Sequence, residues 1–229
     1  RRQIGDENLF FTKSGIRVRW ASGSQSGYYP DLQSKPNQDR QVCKVGIAEK
    51  DINWFGIYDG NGSNGHHCAD FASKKVPEEF GTRITSGQDV LSAMEEAYKN
   101  VHERLIQNNE IETEISGTTA TTLLLMDNEC IVANVGDSPA IVGWRDESTH
   151  SMSASLLYSE HTPRRSDERT RIKRAGGVVM TVDQRDGVVP IHENWGEDEA
   201  PRVWAEDRTK FPGCAFTRSI GNRIAHTLG

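Results

Sequence analysis

A carboxylate flanked by glycines closes an apolar run, Trp54-Phe55-Gly56-Ile57-Tyr58-Asp59-Gly60-Asn61-Gly62. A buried strand ending this way presents one Asp side chain and one glycine carbonyl, hard oxygen donors suited to a divalent cation. Asp-Gly and Asn-Gly are also the favoured hairpin turns, so the fragment alone leaves both readings open. Asn37-Gln38-Asp39 ahead of one apolar strand, and Gly136-Asp137-Ser138 between two others, each read singly as turns. His66-His67-Cys68 holds metal-binding residue types, but adjacent helical residues face different ways. With no second cluster at ligand spacing, a solvated helix start fits it better. The basic run from Arg164 to Arg174 is interrupted by Asp167 and Glu168, the pattern of a solvated, self-paired face. A Lys-bearing phosphate loop, a G-x-S-x-G elbow and an HExxH pair are all missing from the sequence.

The elements that must position these residues follow from periodicity. Strands are expected over 41–47, 54–58, 118–126, 130–135 and 140–144, paired as antiparallel hairpins because no helices separate them at βαβ spacing. One helix is expected over 69–80, with Pro77 kinking or dividing it. A second runs from 90 to about 107, capped by Asp89, with Val90, Met94, Tyr98, Val101 and Leu105 on one face. A third, 167–175, has Ser166 as N-cap, acids in its first turn, bases in its last, and Gly176-Gly177 as its stop. Residues 183–201 are polar and turn-rich, an irregular connection with Glu197, Asp198 and Glu199 adjacent. The fold class is α+β in one domain.

The 229 residues suffice for one substantial core, with 35% hydrophobic and 26% charged residues. A net charge of −6 disfavours nucleic acid and anionic membrane surfaces as partners. No apolar run reaches bilayer length, and Arg1-Arg2-Gln3-Ile4 lacks a signal-peptide core. Cys43, Cys68, Cys130 and Cys214 are widely spaced with no CxxC, pointing to reduced thiols in an intracellular, cytoplasmic protein.

Taken in order the fragments become specific. Asn37-Gln38-Asp39, FGIYDGNG, Ser116-Gly117-Thr118-Thr119-Ala120, the run from Val132 to Ser138 (VANVGDS), the run from Glu160 to Arg169 (EHTPRRSDER) and the run from Pro212 to Gly221 (PGCAFTRSIG) together resemble the metal-dependent protein phosphatases of the PP2C type. Gly27-Tyr28-Tyr29-Pro30-Asp31 and Pro201-Arg202-Val203-Trp204 resemble the PP2C domains fused to cyclic-nucleotide-dependent kinases in plants and protists. The resemblance covers the chain from about residue 27 onward, leaving 1–26 as an N-terminal extension or first strand. It implies a β-sandwich of two antiparallel sheets flanked by helices, and a Mg2+ or Mn2+ site whose activated water hydrolyses phosphoserine or phosphothreonine in signalling proteins. The matching ligands are Asp39, the Asp59 side chain and the Gly60 carbonyl, with Asp137 near an additional metal. The acidic segment carrying Asp183, Glu197, Asp198 and Glu199 corresponds to a variable flap expected to help choose a substrate or partner.

The chain departs from the family pattern at the chemistry. Where the family has DGHG, its histidine the general acid, this chain has Asn61, which delivers no proton near neutral pH. Where the SR-x-GD motif ends in a metal-binding Asp, this chain has Asn222. The phosphate-binding Arg of many members is replaced by a stretch holding Tyr28, Tyr29 and Lys35, Pro139 follows GDS, and an ASDG-type strand with a late Asp is not found before Gly229. From Asn61 together with Asn222 the expectation is a pseudophosphatase that acts as a binding, regulatory or structural module for a protein or phosphoprotein partner; the C-terminal part of the fold is expected to be absent from this chain. Its cofactor is Mg2+ or Mn2+ if the site still takes metal, and none otherwise. The competing expectation is an active Mg2+/Mn2+-dependent serine/threonine phosphatase.

Overall fold

The structure is a computed structural model that describes residues 2–4, 8–28, 35–207 and 211–229. Tyr29, Pro30 and Asp31 of the expected motif lie outside the described residues. At the N-terminal end β1 (Arg2–Ile4) pairs with β4 (Gly23–Gln25), and β2 (Asn8–Phe11) forms a hairpin with β3 (Arg17–Trp20). A six-stranded sheet follows, built from β5 (Asp39–Lys44), β6 (Asn53–Asn61), β7 (Gly117–Thr118), β8 (Ala120–Met126), β9 (Glu129–Val135) and a late strand given below. Between β6 and β7 run α1 (Gly65–Thr85) and α2 (Val90–Ile106). After β9 come a hairpin of β10 (Ile141–Arg145) with β11 (Met152–Leu156), then α3 (Ser166–Arg174), β12 (Gly177–Met180) and α4 (Val182–Arg185). β13 (Arg202–Ala205) and β14 (Pro212–Cys214) join β12 in a three-stranded sheet. β15 (Ile220–Gly221) returns to the six-stranded sheet beside β7, and α5 (Arg223–His226) follows it as the last of the described elements. Every pairing is antiparallel, so the expected class, α+β with antiparallel sheets and helices, holds.

β6 is the axis of the fold. Its alternate residues Trp54, Gly56, Tyr58 and Gly60 are buried, while Phe55, Ile57, Asp59 and Asn61 on the opposite face are partly or fully exposed. The buried face packs against α1 and α2, where Trp54, Tyr58, Phe80, Val101, Leu105 and Leu124 form the centre of the main core. Trp54 meets Phe80 ring to ring at 5.3 Å, and the Tyr98 hydroxyl donates to Thr122 Oγ1 at 2.8 Å, so the aromatic ring sinks without losing its polar handle. A second, smaller core of Ile172, Val179 and Val203 lies under α3.

Several expected boundaries are corrected. α1 begins at Gly65 rather than 69, because the Asn64 carbonyl accepts from His67 N and Cys68 N and starts the ladder early. His66-His67-Cys68 therefore opens this helix. Pro77 neither divides nor ends α1: the helix continues to Thr85, since its buried face of Cys68, Ala69, Ala72, Val76, Phe80 and Ile84 outweighs the ~3 kcal/mol cost of an interior proline. Asp89 does cap α2, accepting from Ser92 N at 3.0 Å. α3 starts one residue early with Arg165 at the cap and no side-chain cap bond, so Ser166 is its first helical residue. The strand expected at 118–126 is interrupted at Thr119, for a reason that belongs to the site.

Candidate functional site

The register of β5 against β6 pairs Asp39 directly with Asp59. Opposed residues of an antiparallel pair point to the same face, so two carboxylates meet at the strand ends. They line a cleft of about 380 Å³ with Ile57, Thr121, Asp137 and Ser138, walled by Gly23 and Ser24 of β4. The N-terminal strand thus reaches the site. Asn37 Nδ2 donates to Ser24 Oγ at 2.6 Å, joining that wall to the turn before β5.

The backbone around Asp59 is held from both sides. Thr119 leaves the ladder between β7 and β8 because its N–H donates to the Asp59 carbonyl at 2.9 Å while its hydroxyl accepts from Asp59 N at 3.1 Å. The same hydroxyl lies 2.6 Å from Ser138 Oγ, and the Thr121 hydroxyl donates to the Ser138 carbonyl at 2.7 Å, so the turn bearing Asp137 is moored to Asp59. On the other side Gly60 N donates to the Gln38 carbonyl at 3.2 Å. A Cβ on Gly60 would collide with the carbonyl oxygen of Gly65, so only glycine lets β6 end this close to the start of α1. His161 adds a more distant tie. Its N donates to Gly136 O at 2.9 Å, its Nδ1 accepts from Gly136 N at 3.3 Å, and its carbonyl accepts from Thr217 N at 2.8 Å. Burial, then the Arg218 guanidinium, push its imidazole below the usual histidine range, so it serves here as a neutral acceptor.

The electrostatics of the pair are unfavourable in the protein by itself. Burial, the Asp39 carboxylate, a hydrogen bond shared with Asp39, and Asp137 raise Asp59 from 3.8 to about 6, with Lys35 opposing. Asp137 is also raised, by burial. Two facing carboxylates in an oxygen-only setting suit a hard cation, which Mg2+ commonly takes through one or two carboxylates and its own waters. Among the described residues no group of three His, Cys, Asp or Glu stands close enough to hold an ion, so a metal here would rest on the pair.

The remaining expected residues fall in other places. Asn61 follows Asp59 by two positions on the same face of β6, opposite Gly117. Its Nδ2 is buried and has no acceptor among the described residues. Asn222 is 1% exposed and sits at the end of β15, in the left-handed conformation at φ 48°. Its Nδ2 donates to Ser219 Oγ at 3.0 Å, its Oδ1 is buried without a donor, and its amide fills the space a Cβ on Gly117 would need. The Asn222 amide thus lies against Gly117, which Asn61 opposes in register, and neither residue lines the carboxylate cleft.

The segment 183–201 is less irregular than expected. Thr181 and Gln184 form a reciprocal capping box that makes α4, which contains Asp183. Gln184, 2% exposed, donates to Pro190 O and His192 O and accepts from Trp195 Nε1 at 3.0 Å. Arg164 then gathers the carbonyls of Gly196, Glu197 and Glu199 with one nitrogen. Glu197, Asp198 and Glu199 therefore stand exposed, or nearly so, on an ordered scaffold. Thr181-x-x-Gln184 is a sequence signal that could have revealed α4. Nothing local announced Arg164 or Gln184 as hubs, or the Thr119 tie.

Residues 33–223 match the family model described as Protein phosphatase 2C. "Probable protein phosphatase 2C 35" of Arabidopsis thaliana is 37% identical over 213 residues, covering 90% of this chain and 60% of its own length. "Probable protein phosphatase 2C 52" of Oryza sativa subsp. japonica is 35% identical over 134 residues, covering 58% of this chain and 26% of its own. The chain therefore spans less than two thirds of the length of these relatives. Among solved structures, the serine-threonine phosphatase 2C from Toxoplasma gondii superposes with a TM-score of 0.63 at 20% identity, covering 85% of this chain and 66% of that one. A C. elegans sex determining protein does so at 0.64 and 19%, covering 86% and 43%. At such identities the superpositions show the fold alone.

Proposed function

This chain belongs to the protein phosphatase 2C family, and from that premise we propose that it is a phosphatase domain with impaired hydrolysis, acting as a binding or regulatory module for protein or phosphoprotein partners. The observation that carries this reading is Asn61. It stands on the Asp59 face of β6, two residues past the carboxylate and just outside the cleft, where the family pattern has a histidine, and its amide has no proton to give a leaving alkoxide near neutral pH.

Asp39 and Asp59 are the residues that would hold Mg2+ or Mn2+, and the metal would supply an acidified water and screening of phosphate charge. The chain's own groups do the rest. Thr119 and Gln38 fix the Asp59 backbone, the Ser138 turn brings Asp137 to the same cleft, and burial with the facing Asp39 raises the Asp59 carboxyl when no cation offsets it. Exposed Glu197 and Asp198, on the loop ordered by Arg164, contribute to partner choice. All four cysteines are free, which supports a reducing, cytoplasmic setting. Among the described residues no helix is long and apolar enough to cross a membrane.

The test is hydrolysis of an aryl phosphate by the full-length protein with Mn2+ or Mg2+, beside Asn61→His and the double variant Asn61→His, Asn222→Asp. The expected result is silence from the native protein and turnover in the variants, a gain of about 10²–10⁴-fold for the restored proton donor. Comparable turnover in all three overturns the reading. The second reading, an active phosphatase, draws on Asp39, Asp59 and Asp137 lining one cleft. It requires native turnover that a chelator and Asp59→Asn both abolish.

A further inference from the structure

We propose that Arg40 is a positioning residue that holds Asp39 against Asp59 so that the pair can take a divalent cation, an inference that rests on reading that pair as a cation site. Arg40 follows Asp39 on β5 in register with Tyr58, whose side chain is buried toward the helices, and it also borders the carboxylate cleft. Its Nη1 donates to the Asn37 carbonyl at 3.0 Å and to the Asp39 carbonyl at 2.9 Å. Its Nε meets Asp70 Oδ1 of α1 at 3.6 Å. One guanidinium therefore spans the turn before β5 and the second turn of α1.

Those are the two segments whose relative placement sets the site. α1 starts against Gly60, directly after Asp59, and Gln38 of the same turn donates through Nε2 to Gly62 O at 2.6 Å. Asn37 Oδ1 accepts from Asp39 N at 3.0 Å, so the Asp39 main chain is bound at its N–H by Asn37 and at its carbonyl by Arg40. The two carboxylates face each other in register, and Asp39 stands in the first residue of an edge strand, where fraying is easiest. A strap on the strand opposes that fraying. Lysine is a poor substitute, because a point charge cannot reach two carbonyls and a carboxylate at once in a planar fork. Asp70, held by Lys74 at 2.6 Å, fixes the far end of the strap.

The test is calorimetric titration of the full chain with MnCl2 alone, for the native protein, Arg40→Ala, Arg40→Lys, Asp70→Asn and Asp39→Asn. In parallel, thermal midpoints are recorded in EDTA and in excess Mn2+. Arg40→Ala is expected to weaken the Mn2+ Kd about tenfold, as loss of outer-sphere support does elsewhere, with Arg40→Lys recovering only part of it and Asp70→Asn losing less. A lowered midpoint in EDTA with an unchanged Mn2+ Kd would make Arg40 merely structural and overturn the proposal. If Arg40→Ala does not fold, Arg40→Lys and Asp70→Asn carry the decision by the same criterion. Native protein that binds no Mn2+, indistinguishable from Asp39→Asn, would remove the cation site itself, and the proposal with it.

Discussion

The same functional group meets opposite fates in two regions of this molecule. Glu168, on α3, is 1% exposed and accepts from Thr217 Oγ1 at 2.6 Å, from Arg171 Nη2 at 2.8 Å and from Arg218 Nη2 at 2.7 Å. Those partners outweigh the burial that opposes them and hold its carboxyl well below the usual carboxylate range. Asp59, on β6, is more exposed yet is raised to about 6, because burial and the Asp39 carboxylate act on it with only Lys35 opposing. Cations decide the difference, not depth. A carboxylate supplied with arginines ties α3 to the segment before β15; a carboxylate supplied with another carboxylate is left asking for a positive charge.

The contrast can be broken by mutation. Glu168→Ala should cost about 3 kcal/mol of folding stability in urea unfolding, toward the low end for a severed buried ion pair because both arginines stay partly in water. A cost within about 0.5 kcal/mol would mean that the knot is ornamental. Asp59→Asn in EDTA should do the reverse, leaving the metal-free protein as stable as before or up to about 1 kcal/mol more stable, by relieving like-charge repulsion.

Acid should then separate the two regions. Glu168 has its pKa lowered on folding, so its contribution is complete above the unfolded value near 4.5 and is lost as pH falls through the folded one. Asp59 has its pKa raised from 3.8 to about 6, so its cost is absent at low pH, grows between those values and is complete above them. Thermal midpoints in EDTA should therefore show Asp59→Asn gaining on the native protein between about pH 4 and about pH 6 and holding that gain above. A gain that shrinks over the same interval contradicts the assignment. The smallest effect belongs to the exposed acids: Glu197→Ala with Asp198→Ala should change stability by less than about 0.5 kcal/mol while weakening partner binding. Unchanged binding removes the loop from partner choice.

Much of the frame is legible in the residues. The alternation that ends in Asp59-Gly60 marked β6, the period of Val90, Met94, Tyr98, Val101 and Leu105 marked α2, and Asp89 marked its cap. Errors came where a local rule was outvoted by packing. Pro77 reads as a break but is carried through α1 by the face buried beneath it, and Thr119 reads as mid-strand but is diverted by two bonds to Asp59. In the site, Asp39 and Asp59 were named from the family resemblance and the strand register brings them face to face, whereas Arg40, Ser24 and the Gln184 hub were not named, since a side chain's bond to a carbonyl or hydroxyl leaves no mark in residue type or spacing.

By itself the sequence determined which residue types stand at the ends of strands, and hence that Asp59 carries a carboxylate and Asn61 an amide without a titratable proton. Those are covalent facts that no packing alters. Only the tertiary structure decided that Asp39 faces Asp59 in register, that Glu168 finds two arginines, and that Asn222 lies buried over Gly117. Charge interactions fall off with distance and depend on what screens them, so a carboxylate's state is set by neighbours that strand register and helix packing bring to it.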